Sequence, residues 1–232
     1  MLLSPDLLYA LWLSIKLAAV TTMVLLAMCV PLAHWLNYTT SRWAMVIELV
    51  VTLPIVLPPT VIGFYLLVLF APQSAVGQAW LWLFDSSLVF SFTGLVIGSV
   101  LYSLPFALQP IQTAFKQVDE SLLEAAMALG ATPKQVFWTV IVPVSRFGIL
   151  SGALLSFAHT MGEFGVVLML GGSIPHETKV ASIALYDEVQ KLNYVVAHQF
   201  ALLLLLISAV ILAVIIALQR LKAHKPRLRL KN

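Results

Sequence analysis

Charged residues and cysteines are scarce in this 232-residue chain. Aspartate, glutamate, lysine and arginine make up 10% of it, whereas residues with hydrophobic side chains make up 61%. A soluble domain averages about 25% charged residues, and a soluble fold of this length could not hide so much apolar surface. We therefore expect lipid to be part of its solvent. A single cysteine, Cys29, excludes an intrachain disulfide and a cysteine-built metal cluster.

Catalytic and nucleotide-binding motifs are also missing. The sequence has no GxxxxGKS or GxxxxGKT run, which cradles phosphates in many ATPases, and no HExxH or GxSxG. We expect a chain that is not an enzyme, holds no metal or cofactor, and takes its energy from another chain or from an ion gradient. No internal repeat is present; an inverted repeat would have favoured a secondary transporter.

Five apolar stretches are long enough to cross a bilayer as helices, which takes about 20 residues each. They cover residues 7–36, 43–70, 88–111, 147–170 and 200–218. Lipid offers no hydrogen-bond partner to the backbone, so we predict an all-α, polytopic helical bundle that forms one domain over residues 1–232. A further re-entrant segment at 180–189 would raise the number of spans to six.

Basic residues predict the orientation of these spans. Two of them, Lys179 and Lys191, lie in the segments that would share one side with the N-terminus. Ten lie on the other side: Arg42, Lys116, Lys134, Arg146, Arg220, Lys222, Lys225, Arg227, Arg229 and Lys231. The positive-inside rule places the ten in the cytoplasm. The N-terminus is then outside, and the basic tail at 219–232 flanks the last span in the cytoplasm and does not indicate nucleic acid.

The loop at residues 112–146 carries signals for two short helices. Ser121 and Glu124 have capping-box spacing, and Gly130 is placed to end the first helix in a left-handed conformation. Thr132, with proline next and Gln135 three residues on, predicts the second start. Leu122, Ala126 and Leu129 would share one side of the first helix. That side would dock in a groove of another protein, or lie on its own subunit or on lipid headgroups.

The stretch EAAMALGATPKQVFWTVIVP resembles the cytoplasmic loop of binding-protein-dependent ABC importer permeases. The matching residues, in order, are Glu124, Ala125, Ala126, Gly130, Ile141 and Pro143. The resemblance implies a type I ABC importer-like fold whose loop forms a coupling helix in a cleft of the ATPase subunit. It implies these ATPase-coupling residues: Ser121, Leu122, Glu124, Ala125, Ala126, Leu129 and Gly130.

A second resemblance is to the molybdate branch of these permeases. It rests on LPIVLPPTVIGFYLLVLF in the second span, GEFG at 162–165 and IPHET at 174–178. It implies translocation of molybdate or tungstate across the cytoplasmic (inner) membrane of a prokaryote, with sulfate or thiosulfate as the alternative. The implied assembly is a permease homodimer, two ATPase subunits that bind ATP and Mg, and an external or periplasmic substrate-binding protein.

Several residues inside the predicted spans are candidates for a polar pathway or gate. They are Pro58, Pro59, Thr60, Ser103, Thr160 and Glu163. The prolines would kink the second span, either to line a pathway or simply for packing. His159 and Glu163 share a helix face, which suits a contact between helices or a proton relay. An ion-coupled transporter built on this pair is the competing class. Lys16 and Glu48 are expected to reach toward the bilayer surface.

Overall fold

The computed structural model describes residues 5–223, and this part of the chain consists of helices joined by turns and short loops, without a β-strand. The predicted all-α fold class is confirmed. The elements are α1 (Pro5–Tyr38), α2 (Trp43–Val56), α3 (Pro59–Phe70), α4 (Ala75–Phe84), α5 (Phe92–Lys116), α6 (Glu120–Ala128), α7 (Pro133–Val136), a π-helical turn (Phe137–Ile141), α8 (Val142–Val144), α9 (Arg146–Gly162), α10 (Gly165–Gly171), α11 (Ala181–Gln190) and α12 (Tyr194–Ala223).

Three helices are long and apolar enough to cross a membrane alone: α1, α5 and the Tyr194–Ala217 part of α12. Two bent pairs add spans if each pair is counted as one. The pairs are α2 with α3, bent by 115°, and Pro133–Val144 with α9, bent by 69°. The described residues therefore hold three to five spans, and the predicted number of five is reached when both pairs are counted.

The second predicted span, residues 43–70, is broken more sharply than a kink. Leu57 and Pro58 are extended, with ψ of 138° and 136°, and α3 starts afresh at Pro59. A residue that precedes proline is driven out of the α region. Because Leu57 precedes Pro58 and Pro58 precedes Pro59, two such restrictions follow each other and end α2. Pro59 then occupies the first helical position, where its missing N–H is not needed.

The fourth predicted span, residues 147–170, is wrong as a continuous helix. α9 ends at Gly162, Glu163 is extended with ψ of 132°, and α10 covers only Gly165–Gly171. The apolar run masks this break because lipid-compatible residues continue on both sides of it.

Two short helices were also not predicted as such: α4 within residues 71–87, and α11 at the proposed re-entrant segment. At ten residues each they rise about 15 Å, too little to cross a bilayer.

The bundle is organised around α1, which packs against both α5 and α9. α9 and α5 approach closely through Gly148 and Gly152. A Cβ atom built on Gly152 would lie 2.7 Å from the Ala107 carbonyl oxygen, and one on Gly148 would lie 2.1 Å from the Ala114 Cβ. Small residues four apart let membrane helices bring their backbones together. This contact fixes the position of α9, whose far end carries the candidate site.

The outer helices leave much apolar surface uncovered. Only 11% of the most apolar window of α12 is buried, and Met45 and Val56 on α2 are 79% and 80% exposed. Exposed apolar surface of this extent fits lipid or another subunit.

Candidate functional site

Helix α6 begins at Glu120 and uses a different cap from the predicted one. The Asp119 side chain accepts a hydrogen bond from the Ser121 backbone N–H at 3.0 Å, and Ser121 lies inside the helix. The predicted capping box between Ser121 and Glu124 is therefore wrong. A carboxylate satisfies the same amide and also meets the positive end of the helix dipole. The hydrogen bond from Ser121 keeps the pKa of Asp119 below its usual value.

The glycine turn and the second helix start are confirmed. Gly130 has φ of 86°, the left-handed region, and its N–H donates to the Met127 carbonyl at 2.9 Å. The Ala131 N–H donates to the Ala126 carbonyl at 3.1 Å, which completes a Schellman ending. Thr132 and Gln135 then form a reciprocal capping box. The loop is thus helix, tight turn, helix, as the local sequence signals predict.

The outward face of α6 differs from the predicted one. Leu129 is 89% exposed and Leu122 is 47% exposed, but Ala126 is half-buried and packs with Leu123 against the core of its own subunit. Leu122, Ala125 and Leu129 form the exposed stripe, at spacings of three and four residues. Ala126 therefore belongs to the inner face of α6. Of the seven candidate coupling residues, the other six are exposed, and their coupling role stays a prediction.

A cleft of about 500 Å³ lies where the chain breaks after α2 and after α9. Its lining residues are Pro59, Thr60, Tyr102, Ala158, His159, Gly162, Glu163, Phe164 and Gly165. These residues come from α3, α5, α9 and the segment that leads into α10. The pathway candidates Pro59, Thr60 and Glu163 thus line the same cleft, although more than 100 residues separate Thr60 from Glu163 in sequence.

Two hydroxyl groups beside the cleft and the imidazole of the lining residue His159 connect α5 to α9. The Ser103 Oγ lies 2.8 Å from His159 Nδ1 and 2.9 Å from Thr160 Oγ1, both hydrogen-bond distances. The His159 ring stacks on Phe106, with 3.8 Å between ring centroids, and tilts against Tyr102. The candidates Ser103 and Thr160 therefore support the cleft through His159 and each other. The hydrogen bond and the stacking together hold the imidazole in one orientation.

The two helix breaks are packed directly against each other. A Cβ atom built on Gly165 would lie 2.6 Å from the Pro59 Cβ and 3.2 Å from the Thr60 backbone N. Further along the same contact, a Cβ on Gly63 would lie 2.8 Å from the Met169 Cβ. Glycine at 63 and 165 thus lets α10 lie against α3. Pro58 caps α3 but is not among the residues that line the cleft.

The segment after α10 holds the break in place from the other side. The Ser182 hydroxyl of α11 donates to the Glu163 backbone carbonyl at 2.5 Å. In the IPHET motif, the Thr178 hydroxyl donates to the Gly171 carbonyl at 2.6 Å and accepts from the Ile174 N–H at 3.2 Å. The bonds to the Glu163 and Gly171 carbonyls satisfy backbone groups that the end of a helix leaves free. The two hydrogen bonds of Thr178 thus fix the loop after α10 against the last carbonyl of that helix.

Two other ionisable candidates lie away from the cleft. The Lys16 Nζ is exposed and sits 4.6 Å from the centroid of the Phe92 ring, a cation–π contact. Glu48 accepts a hydrogen bond from the Gln112 side chain at 3.2 Å.

The sequence analysis missed Tyr102 and Ser182 as neighbours of the site. Their signal was weak, since an aromatic and a serine inside apolar helices are ordinary packing residues.

Bent apolar helices around a cleft that Thr60, His159 and Glu163 help to line, with a capped helix outside the spans, are the architecture of a multi-pass membrane protein. Residues 24–229 match the family described as binding-protein-dependent transport system inner membrane component. The chain belongs to this family, and its members are permease components of ABC importers.

Curated relatives agree with this membership. The chain is 46% identical to the molybdenum transport system permease ModB of Azotobacter vinelandii, over 95% of this chain and 98% of the relative. It is 34% identical to a putative molybdenum transport permease of Bacillus subtilis, over 91% and 92% of the two chains. It is 31% identical to the sulfate permease CysT of Synechocystis, over 75% and 61%.

The fold resembles a bacterial ABC transporter that imports the acidic polysaccharide alginate. The TM-score is 0.74 over 97% of this chain and 81% of the other, at 16% sequence identity. At that identity the likeness concerns the fold alone, and it confirms the predicted type I importer architecture.

Proposed function

We propose that this chain is the permease subunit of an ATP-driven importer of molybdate, with tungstate as a closely similar cargo. The observation that carries the proposal is the 46% identity to a molybdenum permease across nearly the whole of both chains. The relatives named for sulfate transport are less similar, and the match spans less of their length. The cleft at Thr60, His159 and Glu163 is the proposed path of the anion through the subunit.

In this proposal the chain lowers no chemical barrier itself and carries no cofactor. Two copies form the translocation path, and two separate ATPase subunits bind ATP and Mg on the cytoplasmic side. The exposed stripe of α6 docks on an ATPase subunit and transmits its closure to the helices. The N-terminus faces outward, the C-terminus faces the cytoplasm, and an external binding protein delivers the cargo. Because that protein selects the anion, the permease itself need bind it only weakly.

The test uses the complete complex in proteoliposomes with purified binding protein. Molybdate-loaded binding protein should stimulate ATP hydrolysis and uptake of labelled molybdate, whereas sulfate should stimulate little. In cells, deletion of the gene should abolish molybdate-dependent growth at trace molybdate. Unchanged growth at trace molybdate together with failed sulfate uptake would assign the permease to sulfate, the alternative that the sulfate relatives favour.

A further inference from the structure

Helix α11 begins without a cap of its own. Its N-cap residue, Val180, has the extended backbone of that position, with ψ of 170°, but its side chain offers no oxygen to the first amides. The Ser14 hydroxyl of α1 accepts a hydrogen bond from the Ala181 N–H at 2.7 Å instead, across 167 positions of sequence. Ser14 is 2% exposed and Ala181 is fully buried. Because water does not compete for buried groups, this bond fixes the start of α11 to α1.

Apolar packing joins the same two helices. Ala181 and Ala184 of α11 are buried in one cluster with Leu7 and Ala10 of α1. The small side chains let the two backbones approach closely, so that the Ser14 hydroxyl reaches an amide of the other helix. The beginning of α11 therefore keeps a defined position relative to α1.

The other contacts of α11 reach the break between α9 and α10. The Ser182 hydroxyl donates to the Glu163 carbonyl at 2.5 Å. Four residues on, and so on the same face of α11, the Tyr186 ring lies 5.1 Å from the Phe164 ring between centroids. Glu163 and Phe164 are the two residues that separate α9 from α10, and both line the cleft of about 500 Å³. Helix α11 thus holds both residues of the break.

The break needs such support from outside. The Glu163 backbone is extended, with ψ of 132°, so its carbonyl lies outside the hydrogen-bond pattern of a helix. At membrane depth a backbone carbonyl without a donor is strongly unfavourable. Without the Ser182 hydroxyl, the break would have to rearrange until this carbonyl found another donor. Because the break is part of the cleft wall, its rearrangement would change the shape of the cleft.

On the basis of the proposed function, we propose that Ser14 and Ser182 are positioning residues of the anion path: Ser14 fixes α11 to α1, and α11, through Ser182, holds the break at Glu163 in the cleft wall. Among the described residues that line the cleft, neither serine appears, so neither contacts the anion there. The two hydrogen bonds lie one after the other along a single connection. The second can hold the break only while the first keeps α11 in place.

This dependence predicts how the two serines combine. Ser14→Ala and Ser182→Ala should each lower anion uptake per ATP hydrolysed by about two- to tenfold, the factor that corresponds to the net free energy of one hydrogen bond. The double variant should lie within about twofold of the lower single variant, whereas two independent contacts would multiply their losses. Ser182→Thr keeps the hydroxyl and should take up more anion than Ser182→Ala.

A second comparison separates a connection to α1 from a simple helix cap. Val180→Thr places a hydroxyl at the N-cap position of α11 with little change in side-chain volume. Added to Ser14→Ala, it should recover the unfolding temperature of the subunit in detergent. It should not recover uptake, because the new cap belongs to α11 itself and does not join it to α1. Val180→Thr alone should transport like wild type.

The experiment measures molybdate uptake and ATP hydrolysis by the complete complex in proteoliposomes, with molybdate-loaded binding protein. Ser151→Ala is the matched control, because the Ser151 hydroxyl bonds the Phe147 carbonyl at 2.8 Å within its own helix, α9, and joins no two elements. Its uptake per ATP should equal that of wild type. Stimulated ATP hydrolysis that stays near the wild-type rate shows that each variant is folded and assembled.

Three results would overturn the proposal. The first is losses that multiply in the double variant. The second is full recovery of uptake when Val180→Thr is added to Ser14→Ala, since Ser14 would then be only a cap. The third is equal uptake by Ser182→Ala and Ser182→Thr, which decides the matter even if Ser14→Ala does not assemble. If the wild-type complex takes up sulfate and not molybdate, the proposed cargo fails, and the same comparisons made with sulfate test the two serines.

Discussion

Replacing Gly130 by alanine tests whether the left-handed turn after α6 supports docking on the ATPase. Gly130 has φ of 86°, and a Cβ built on it would meet no atom within 4 Å. The substitution therefore adds no clash within the subunit, and its expected effect comes from the backbone conformation. An L-residue with a Cβ pays roughly 1–2 kcal/mol to adopt the left-handed region.

That energy sets the size of the expected effect. If the docked loop needs the turn, then 1–2 kcal/mol corresponds to about a five- to thirtyfold change in the equilibrium constant. The affinity of the permease for its ATPase should fall by that factor in Gly130→Ala. Asparagine visits the left-handed region at lower energy, so Gly130→Asn should bind within about threefold of wild type.

Binding is measured by titrating purified ATPase subunit against the permease in lipid nanodiscs. A cross-link from Ala125→Cys, which lies on the exposed stripe, should reach the ATPase more readily than one from the half-buried Ala126→Cys. Equal affinity of Gly130→Ala and wild type would refute the reasoning. Equal weakening by alanine and asparagine would show that the added side chain, and not the backbone angle, disturbs docking.

Three further predictions concern packing, pH and topology. Gly165→Ala should destabilise the subunit by about 1–3 kcal/mol, because its Cβ would lie 2.6 Å from the Pro59 Cβ, and should therefore lower its unfolding temperature in detergent. Gly162→Ala is the control, because its Cβ would meet nothing within 4 Å. Equal unfolding temperatures of the two variants would contradict the packing argument. Partial burial opposes ionisation of Asp187, but hydrogen bonds from Lys179 and Ser173 outweigh it and hold the pKa of Asp187 below its usual value. Because the folded-state pKa is lowered, the stabilisation is present at neutral pH and is lost as the pH falls through that pKa. Asp187→Asn should therefore be less stable than wild type at neutral pH and equally stable in acid. A stability difference that persists in acid would refute this. Single cysteines at Gln73, Thr132 and Lys231, in a Cys29→Ala background, should react with an impermeant thiol reagent in intact cells only at position 73. Labelling at position 132 would contradict the predicted orientation of the spans. Position 231 lies outside the described residues.

Local signals in the loop predicted its structure well, because each of them acts within a few residues. Gly130 ends α6 in the left-handed region, and Thr132 with Gln135 caps the next helix. The one local error was the cap of α6, where Asp119 took the place predicted for Ser121. Two capping residues close together competed for the same amides, and the charged one has the additional attraction of the helix dipole.

The sequence alone was enough to determine the membrane class, the number of apolar stretches and the helix–turn–helix of the loop. Composition, hydrophobic length and caps are properties of a segment by itself. Which face of a membrane helix packs inward was decided only by the tertiary structure. In lipid, both faces of a helix are apolar, so hydrophobicity does not mark the inner one. The break at Glu163, the contact of Gly165 with Pro59 and the cleft that they form depend on helices far apart in sequence, and only their packing brings them together.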